Sequence, residues 1–511
     1  MTDYAKKYKE DLEKFCETTD AFYRGELTVL EYKHFSGDYG SYAQRGAKAS
    51  MLRLRLCGGR INKNTLAFLT KKIEEYKVQR MHITTCQTLQ LHNLNAQQVE
   101  GLIKDSWEFG IFTRGGGGDN PRNVMVSPLA GAEKGEPFAV RPYAEAAAEY
   151  LQSVMYEIHL PRKLKVAFSN GIKNEPHATF RDLGFIARED GTFDVYCAGG
   201  LGRVPKLGVK VAQKVDPSKI LYYIRTMIEV FMEHGDYKNR GRSRTRFLQE
   251  TLGIEGLRQC YNEKLTQVMK EQNLELAPIA DALEKKGEGT LVHSRVVSQK
   301  QEGLYAVSYH PLGGDLKPEK LKELYQTIEP MEEVEIHLTP DEGMYIVNCT
   351  AAEAEKILAV TEDGAKTEFE HSVACIGNAV CQVGARDSQE LLHQCIEGVR
   401  AANFSREVLP AIHISGCPSS CGSHQTNVIG FRGGVKQTEN GPKPAFALYY
   451  AGCDARGKEV ISEDQGAIEA DKIPQFLVDL GRKVETTSLS FAEWFPLHKE
   501  EFETLAKQYT N

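Results

Sequence analysis

Four cysteines carry the most chemistry per residue in this sequence. Cys375 and Cys381 form a C-x5-C pair in ACIGNAVC, and Cys417 and Cys421 form a C-x3-C pair in SGCPSSCG. Thiolates are soft ligands, so two close pairs can enclose a metal centre. Zinc sites favour about two to four residues between paired ligands, and C-x5-C fits that spacing less well. An iron–sulfur cube also takes four thiolates, and its greater width tolerates a wider pair. Gly416, Pro418 and Gly422 suit a backbone wrapped tightly around something. The other eight of the 12 cysteines, at 16, 57, 86, 197, 260, 349, 395 and 453, form no such pair. Free cysteine is also a common core residue, so spacing alone leaves both a metal centre and ordinary buried thiols standing.

The wider pattern is more specific. C-x5-C followed some 35 residues later by GCPxxCG resembles the sirohaem-dependent sulfite and nitrite reductases. RMHITTCQTLQLHNL is similar to that family's TTRQ-x3-QxH strand, and GDNPRNVMVSPLAG to its RNV…PLAG loop. HLPRKLKVAFSN resembles its LPRK segment and KNRGRSRTRFLQETLG its arginine-rich helix start, so the match runs in order over roughly residues 50–455. The resemblance implies a [4Fe–4S] cluster on Cys375, Cys381, Cys417 and Cys421, with Cys421 also bridging to sirohaem. It implies that Arg122, Lys163 and Lys165 face a small bound oxyanion and that Arg162 helps to hold sirohaem carboxylates. Thr84, Thr85, Gln87 and Asn120 are then polar contacts for the macrocycle. Buried negative charge needs such cations, because an unpaired charge in a poorly hydrated pocket costs several kcal/mol. Lysine, whose pKa moves readily on burial, suits proton delivery. Read alone, PRKLK is a solvated basic strand end and TTCQ an ordinary alternating strand.

One departure stands out. Where the family strand reads Thr-Thr-Arg-Gln, this chain has Cys86, which removes a fixed positive charge and a bidentate donor from the substrate site. Cys86 is therefore a candidate catalytic residue in its own right, and Asp341 occupies the equivalent place in the second copy described below. The expected activity is six-electron reduction of sulfite to sulfide, favoured over nitrite to ammonia by the second lysine, Lys165. Another small oxidised sulfur or nitrogen substrate, a catalytically idle sirohaem protein and a structural zinc protein are the alternatives. No nicotinamide, flavin or further ferredoxin-type fingerprint is present, so electrons should come from a separate protein, a ferredoxin or a reductase subunit. Gly115 to Gly118 lack the lysine of a phosphate loop. Arg240, Arg242, Arg244 and Arg246 suit carboxylate binding or an acidic donor.

These residues need elements to position them, and an internal repeat supplies those. Leu52–Ile103 aligns without a gap on Val307–Leu358, an offset of 255 with eleven identities, among them Gly58/Gly313, Gly59/Gly314, His82/His337, Thr84/Thr339 and Asn93/Asn348. Each copy reads as strand, helix, strand and helix, and Pro340 and Gly343 mark a turn within the second strand. Carried onward, the same offset sets Asn120 on Cys375, Val126 on Cys381, Arg162 on Cys417 and Val166 on Cys421. The expected fold is α+β and internally duplicated (pseudo-twofold), with two ferredoxin-like α/β-sandwich half-domains and two larger α+β sirohaem- or cluster-binding domains. The boundaries are a helical extension at 1–50, half-domains at 51–118 and 291–370, and α+β domains at 119–290 and 371–511. Helices are expected at 141–155 and 216–235, and a connection between the halves at 268–290.

Composition limits the class. The chain has 511 residues, with 63 basic and 70 acidic side chains for a net charge of −7. That balance disfavours general nucleic-acid binding. No run approaches the roughly 18–20 apolar residues of a membrane span, and the polar start MTDYAKKYKEDLEKF lacks a signal-peptide core. A cytoplasmic protein with reduced thiols is expected.

Overall fold

The computed structural model describes residues 3–279 and 283–511. Two compact units result: Met1–Gly200, Pro205–Tyr309 and Leu316–Glu362 form the first, and Leu201–Val204, His310–Asp315 and Asp363–Asn511 the second. Twenty strands form four five-stranded sheets among the described residues.

The repeat is visible residue by residue. The first copy supplies β1 (Ser41–Ala43), β2 (Ser50–Leu54), β3 (Arg60–Ile61), β4 (Arg80–Ile83) and β5 (Leu89–Leu94). The segment that follows supplies β6 (Met125–Val126), β7 (Val166–Ser169), β8 (Leu183–Ala187), β9 (Phe193–Cys197) and β10 (Val209–Val215). The second copy supplies β11 (Val296–Ser298), β12 (Tyr305–Tyr309), β13 (Asp315–Leu316), β14 (Glu335–Leu338) and β15 (Met344–Cys349). All five strands of the second copy start and end 255 residues after those of the first. The sheet orders, β1-β2-β5-β4-β13 and β11-β12-β15-β14-β3, mirror each other, each copy lending a two-residue strand to the other's edge.

Sequence explains the match. Helices Lys63–Glu75 and Pro318–Ile328 bury Leu66, Leu69, Ile73 and Leu321, Leu324, Ile328, the spacing that lines one helical face. Asn95 with Gln98, and Thr350 with Glu353, close capping boxes at equivalent helix starts. Gly58 and Gly313 have φ of 54° and 60°, and Gly59 and Gly314 68° and 70°, a region that favours glycine. A Cβ on Gly59 would lie 2.7 Å from Leu338 Cβ, so the glycine pair also permits close packing. Ser41–Ala43 already pairs with β2, so the sheet begins inside the segment expected as a helical lead-in.

The remaining strands, β16 (Val373–Ala374), β17 (His413–Ser415), β18 (Ile429–Thr438), β19 (Gly441–Tyr450) and β20 (Ala467–Glu469), form the sheet of the second unit. Its order β16-β17-β18-β19-β20 repeats β6-β7-β8-β9-β10, two parallel pairings followed by two antiparallel ones. Parallel neighbours need a crossover, supplied by helix Arg141–Ser153 in one sheet and Ser388–Ala402 in the other. Helices Arg141–Ser153 and Ile220–His234 fall where the periodicity sets them. The connection expected at 268–290 begins inside helix Ile254–Glu271, and its residues 280–282 lie outside the described ones. Among the described residues no helix is long and apolar enough to cross a membrane.

One expectation is corrected here. The offset of 255 does not continue into the larger sheets. The Ser127 hydroxyl accepts the Asn170 N–H at 3.1 Å, and Cys375 Sγ accepts the Gly416 N–H at 3.2 Å, each just after the first strand of its sheet. From there Asn170–Asp182 and Gly416–Val428 are both 13 residues long. Inside them His177 N–H bonds Asn174 O as Ser423 N–H bonds Ser420 O, and His177 and Ser423 have φ of 59° and 55°. Cys375 therefore corresponds to Ser127, Cys417 to Gly171 and Cys421 to Glu175, not to Asn120, Arg162 and Val166. The helix before β6 has 14 residues against 10 in its counterpart, and surface connections absorb such length changes at low cost.

Candidate active site

The TTCQ motif is a hairpin turn, not a continuous strand. β4 and β5 pair antiparallel, and Thr84–Thr88 turns between them. Thr84 Oγ1 bonds Thr88 Oγ1 at 2.7 Å and accepts the N–H groups of Cys86 and Thr88. Gln87 is fully buried with φ of 54°; its amide donates to Val126 O and Leu338 O and accepts from Val126 N–H at 2.8–2.9 Å. That amide is committed to the fold. Asn123 completes the turn by donating to the carbonyls of Cys86 (3.0 Å) and Gln87 (3.1 Å). Cys86 is left half-buried at the tip against Met125, Ala167, Ala178 and Ile186, with Thr85 half-buried beside it.

Lys165 stands just before β7, and its Nζ lies 3.1 Å from Cys86 Sγ. Burial raises the Cys86 thiol, but Lys165, Arg181 and Arg53 outweigh it and bring it down to about 6. The Cys86 thiol is therefore largely ionised at neutral pH, beside the Lys165 amine. Burial lowers Lys165, which the facing thiolate opposes and Arg181 and Arg244 reinforce. Asp182, fully buried, accepts from the Lys165 backbone N–H at 2.8 Å, from Arg244 at 3.0 Å and from the Thr245 hydroxyl. Burial and Arg244 hold Arg246 down at about 10. The Arg122 guanidinium bonds Gly116 O (3.2 Å) and Gly118 O (2.8 Å), which gives the glycine run a role as a carbonyl cradle.

Other expected residues are placed differently. Asn120 donates to Asp38 Oδ1 at 2.8 Å, and its backbone carbonyl accepts Leu164 N–H, so it ties a loop. Arg162 and Arg240 both bind Asp119, at 2.8 and 2.7 Å. Arg242 binds Glu250 and is exposed like Arg240, whereas Arg244 and Arg246 turn inward, so the arginine run splits in two. Lys163 is half-buried. Arg181, Asp182 and Asn123 escaped sequence reading. Asn123 was within reach, since it belongs to the RNV motif. RDLGFIA reads only as a strand start. A cleft of about 990 Å3 beside Thr65, Phe68, Phe109 and Tyr325 contains none of the candidate residues.

The cysteines lie in the second unit, in loops that leave the adjacent parallel strands β16 and β17. Ala385 and Arg386 N–H both bond Gly416 O, tying the C-x5-C loop to the C-x3-C loop. A Cβ on Gly416 would meet Arg386 O at 2.6 Å and one on Gly422 would meet Ile414 O at 2.4 Å, so both glycines permit this wrap. Cys375, Cys381 and Cys417 are half-buried and Cys421 is exposed on its own unit. Burial, with Cys421 nearby, pushes the Cys375 thiol up to about 12. A bound metal offsets that cost of deprotonation. Among the described residues no three His, Cys, Asp or Glu side chains converge on a single metal ion, so the fit to a cluster rests on four thiols in two tied loops. In the first unit the Nε–H groups of Arg244 and Arg246 are buried without a hydrogen-bond partner, and a polycarboxylate macrocycle would supply the acceptors they lack. The residues fit both groups.

Duplicated ferredoxin-like sheets, a paired-cysteine loop set and a basic recess define a redox enzyme of the cluster-and-macrocycle class. The family comparisons carry this further. The model described as nitrite/sulfite reductase ferredoxin-like half domain matches residues 42–106 and 297–363. The nitrite and sulphite reductase 4Fe-4S domain matches residues 117–269, the copy without the cysteine loops, and the two together span more than half of the chain. A chloroplastic ferredoxin–nitrite reductase of Betula pendula is 29% identical over 421 residues, 79% of this chain and 71% of that one. Sulfite reductase [ferredoxin] 1 of Mycolicibacterium paratuberculosis is 23% identical over 400 residues, 76% of this chain and 70% of that one. The solved NirA protein of Mycobacterium tuberculosis shares the fold with a TM-score of 0.78 at 22% identity, over 97% of both chains. The chain belongs to the nitrite and sulfite reductase family, oxidoreductases that work with sirohaem and a [4Fe–4S] cluster.

Proposed function

We propose that this chain reduces sulfite to sulfide with six electrons taken singly from a separate donor protein. The observation that carries the reading is the basic cluster at the TTCQ turn, where Lys165, Arg122 and Arg181 all act on Cys86 and Asp182 is hydrogen-bonded by its own partners. When bound, the cluster and sirohaem would supply the single-electron chemistry of the reduction. Cys375, Cys381, Cys417 and Cys421 would hold the cluster, with Cys421 the thiolate shared with the sirohaem by family resemblance. Arg122, Lys163 and Lys165 neutralise the oxyanion, and Arg162, with Arg244 and Arg246, answers the macrocycle's carboxylates. Lys165, lowered by burial, holds a proton it can release toward the bound anion. The word ferredoxin in the names of both relatives supports a ferredoxin-type donor, and the exposed Arg240 and Arg242 suit an acidic one.

Nitrite reduction is the second reading, favoured by the name and higher identity of the Betula relative. Anaerobically purified protein assayed with reduced viologen, on sulfite and nitrite separately, tests both. Sulfite should give the higher kcat/KM. A higher value for nitrite moves the reading to nitrite, and inactivity toward both by protein with its cofactors bound overturns it.

A further inference from the structure

Cys86 takes no part in the reading above, and its presence there is physically awkward. A thiolate beside a bound oxyanion repels it, unless the anion carries an electrophilic atom that faces the sulfur. The thiol is well placed to be used. Its Sγ is 3.1 Å from the Lys165 ammonium, and Asn123 and Thr84 fix its backbone from both sides. It is half-buried at a hairpin tip, not enclosed in the core. Cations beside a thiol favour the nucleophilic thiolate. Arg181 and Arg53 add positive charge, and Arg122 keeps a buried Nε–H without a partner. Asp182 offsets only part of that charge, since one carboxylate faces Arg181, Arg244 and Arg246 together. A nucleophile and a surplus of cations share one recess.

We propose that Cys86 is the nucleophile of a sulfur-transfer reaction on sulfane-sulfur oxyanions of the thiosulfate class. The Cys86 thiolate attacks the outer sulfur and a bond forms from Sγ to it. The original sulfur–sulfur bond breaks, and its electron pair leaves with sulfite. A thiolate and a thiosulfate dianion thus give a persulfide anion and a sulfite dianion, balanced in atoms and charge with no outside oxidant or reductant. Arg122 and Arg181 hold the sulfonate end, and Lys165 pairs first with the thiolate and then with the persulfide. A small-molecule thiol takes the outer sulfur and returns Cys86 to its thiolate. The transfer goes beyond the reductase reading and does not need it; only the onward reduction of the released sulfite rests on that reading.

The test uses anaerobic holoenzyme, no electron donor and inorganic thiosulfate. One equivalent of sulfite should appear per chain, with a mass gain of one sulfur on the peptide that contains Cys86. Cys86→Ser should release none, and Lys165→Met should slow the release at pH 7 roughly 30-fold, as the thiolate fraction falls toward that of a free thiol. Absence of the adduct from Cys86 of the unmodified chain overturns the proposal, however the variants behave. Equal sulfite release by a folded Cys86→Ser protein does the same. Viologen-linked sulfite turnover is measured on the same preparation, so loss of one activity with retention of the other shows which reading fails.

Discussion

The sheets β6–β10 and β16–β20 follow one path, yet their equivalent loops hold different chemistry. Where the second has Cys375, Gly416, Cys417 and Cys421, the first has Ser127, Asn170, Gly171 and Glu175. The backbone bond from Asn170 N–H or Gly416 N–H is kept, and only the accepting atom changes from oxygen to sulfur. Around it the first sheet has closed a polar network instead: Asn170 donates to Glu133 at 2.7 Å, and Lys300 pairs with Glu136 at 2.8 Å. Strand pairing and turn geometry set the frame, while loop side chains set the chemistry and can be exchanged without disturbing it.

The sharpest way to break that comparison is to remove a thiolate. Cys417→Ala should lose nearly all bound iron and acid-labile sulfide and reduce viologen-linked turnover by about 100-fold or more, because the ligand set is then incomplete. Glu175→Gln, in the equivalent loop of the other sheet, should keep its full iron content; iron loss there would refute the division of labour.

The next effect concerns the frame. Gln87→Leu removes three buried hydrogen bonds and leaves Val126 N–H and two carbonyls unpaired. A loss of about 2–4 kcal/mol is expected, read as a lower urea midpoint. A shift no larger than that of a surface substitution would mean that the staple is dispensable.

A smaller effect probes electrostatics. Alkylation of Cys86 by iodoacetamide should rise with pH through about 6 in the unmodified chain, since the thiolate forms as pH exceeds its pKa. Lys165→Met should move the midpoint up toward the free-thiol value of about 8.5. An unmoved profile would show that Lys165 does not hold the thiolate.

The smallest change comes from the divided arginine run. Arg240→Ala breaks an exposed ion pair and should cost no more than about 0.5 kcal/mol. Arg244→Ala removes the ion-pair partner of buried Asp182 and should cost about 3 kcal/mol. Equal thermal shifts would contradict the contrast.

Much of this was legible in the residues. Eleven identities at one offset revealed the repeat and its strand–helix–strand–helix order, because helix caps, apolar spacing and the glycine pairs are local signals, while the short edge strands β1 and β3 gave no such signal. The four cysteines announced themselves by spacing. Gln87 did not reveal its role, since a polar residue in an alternating strand looks the same whether it faces solvent or pins two distant segments. Arg181 and Asp182 meet Cys86 and Lys165 only after the chain has crossed two parallel strands, and nothing in RDLGFIA signals that.

By itself the sequence determined the duplication, the element types and the cysteine loops, all of which follow from short-range periodicity and spacing. Only the tertiary structure decided the true correspondence between the larger sheets, which had slipped from 255 to 248 at the first strand and 246 by the second through length changes in helices and connections. It alone brought Lys165 to 3.1 Å from Cys86, a contact between residues 79 apart in the chain. The physical reason is the same in both cases. Strand register and hydrogen-bond closure act through space, and a linear offset cannot carry them across a loop of changed length.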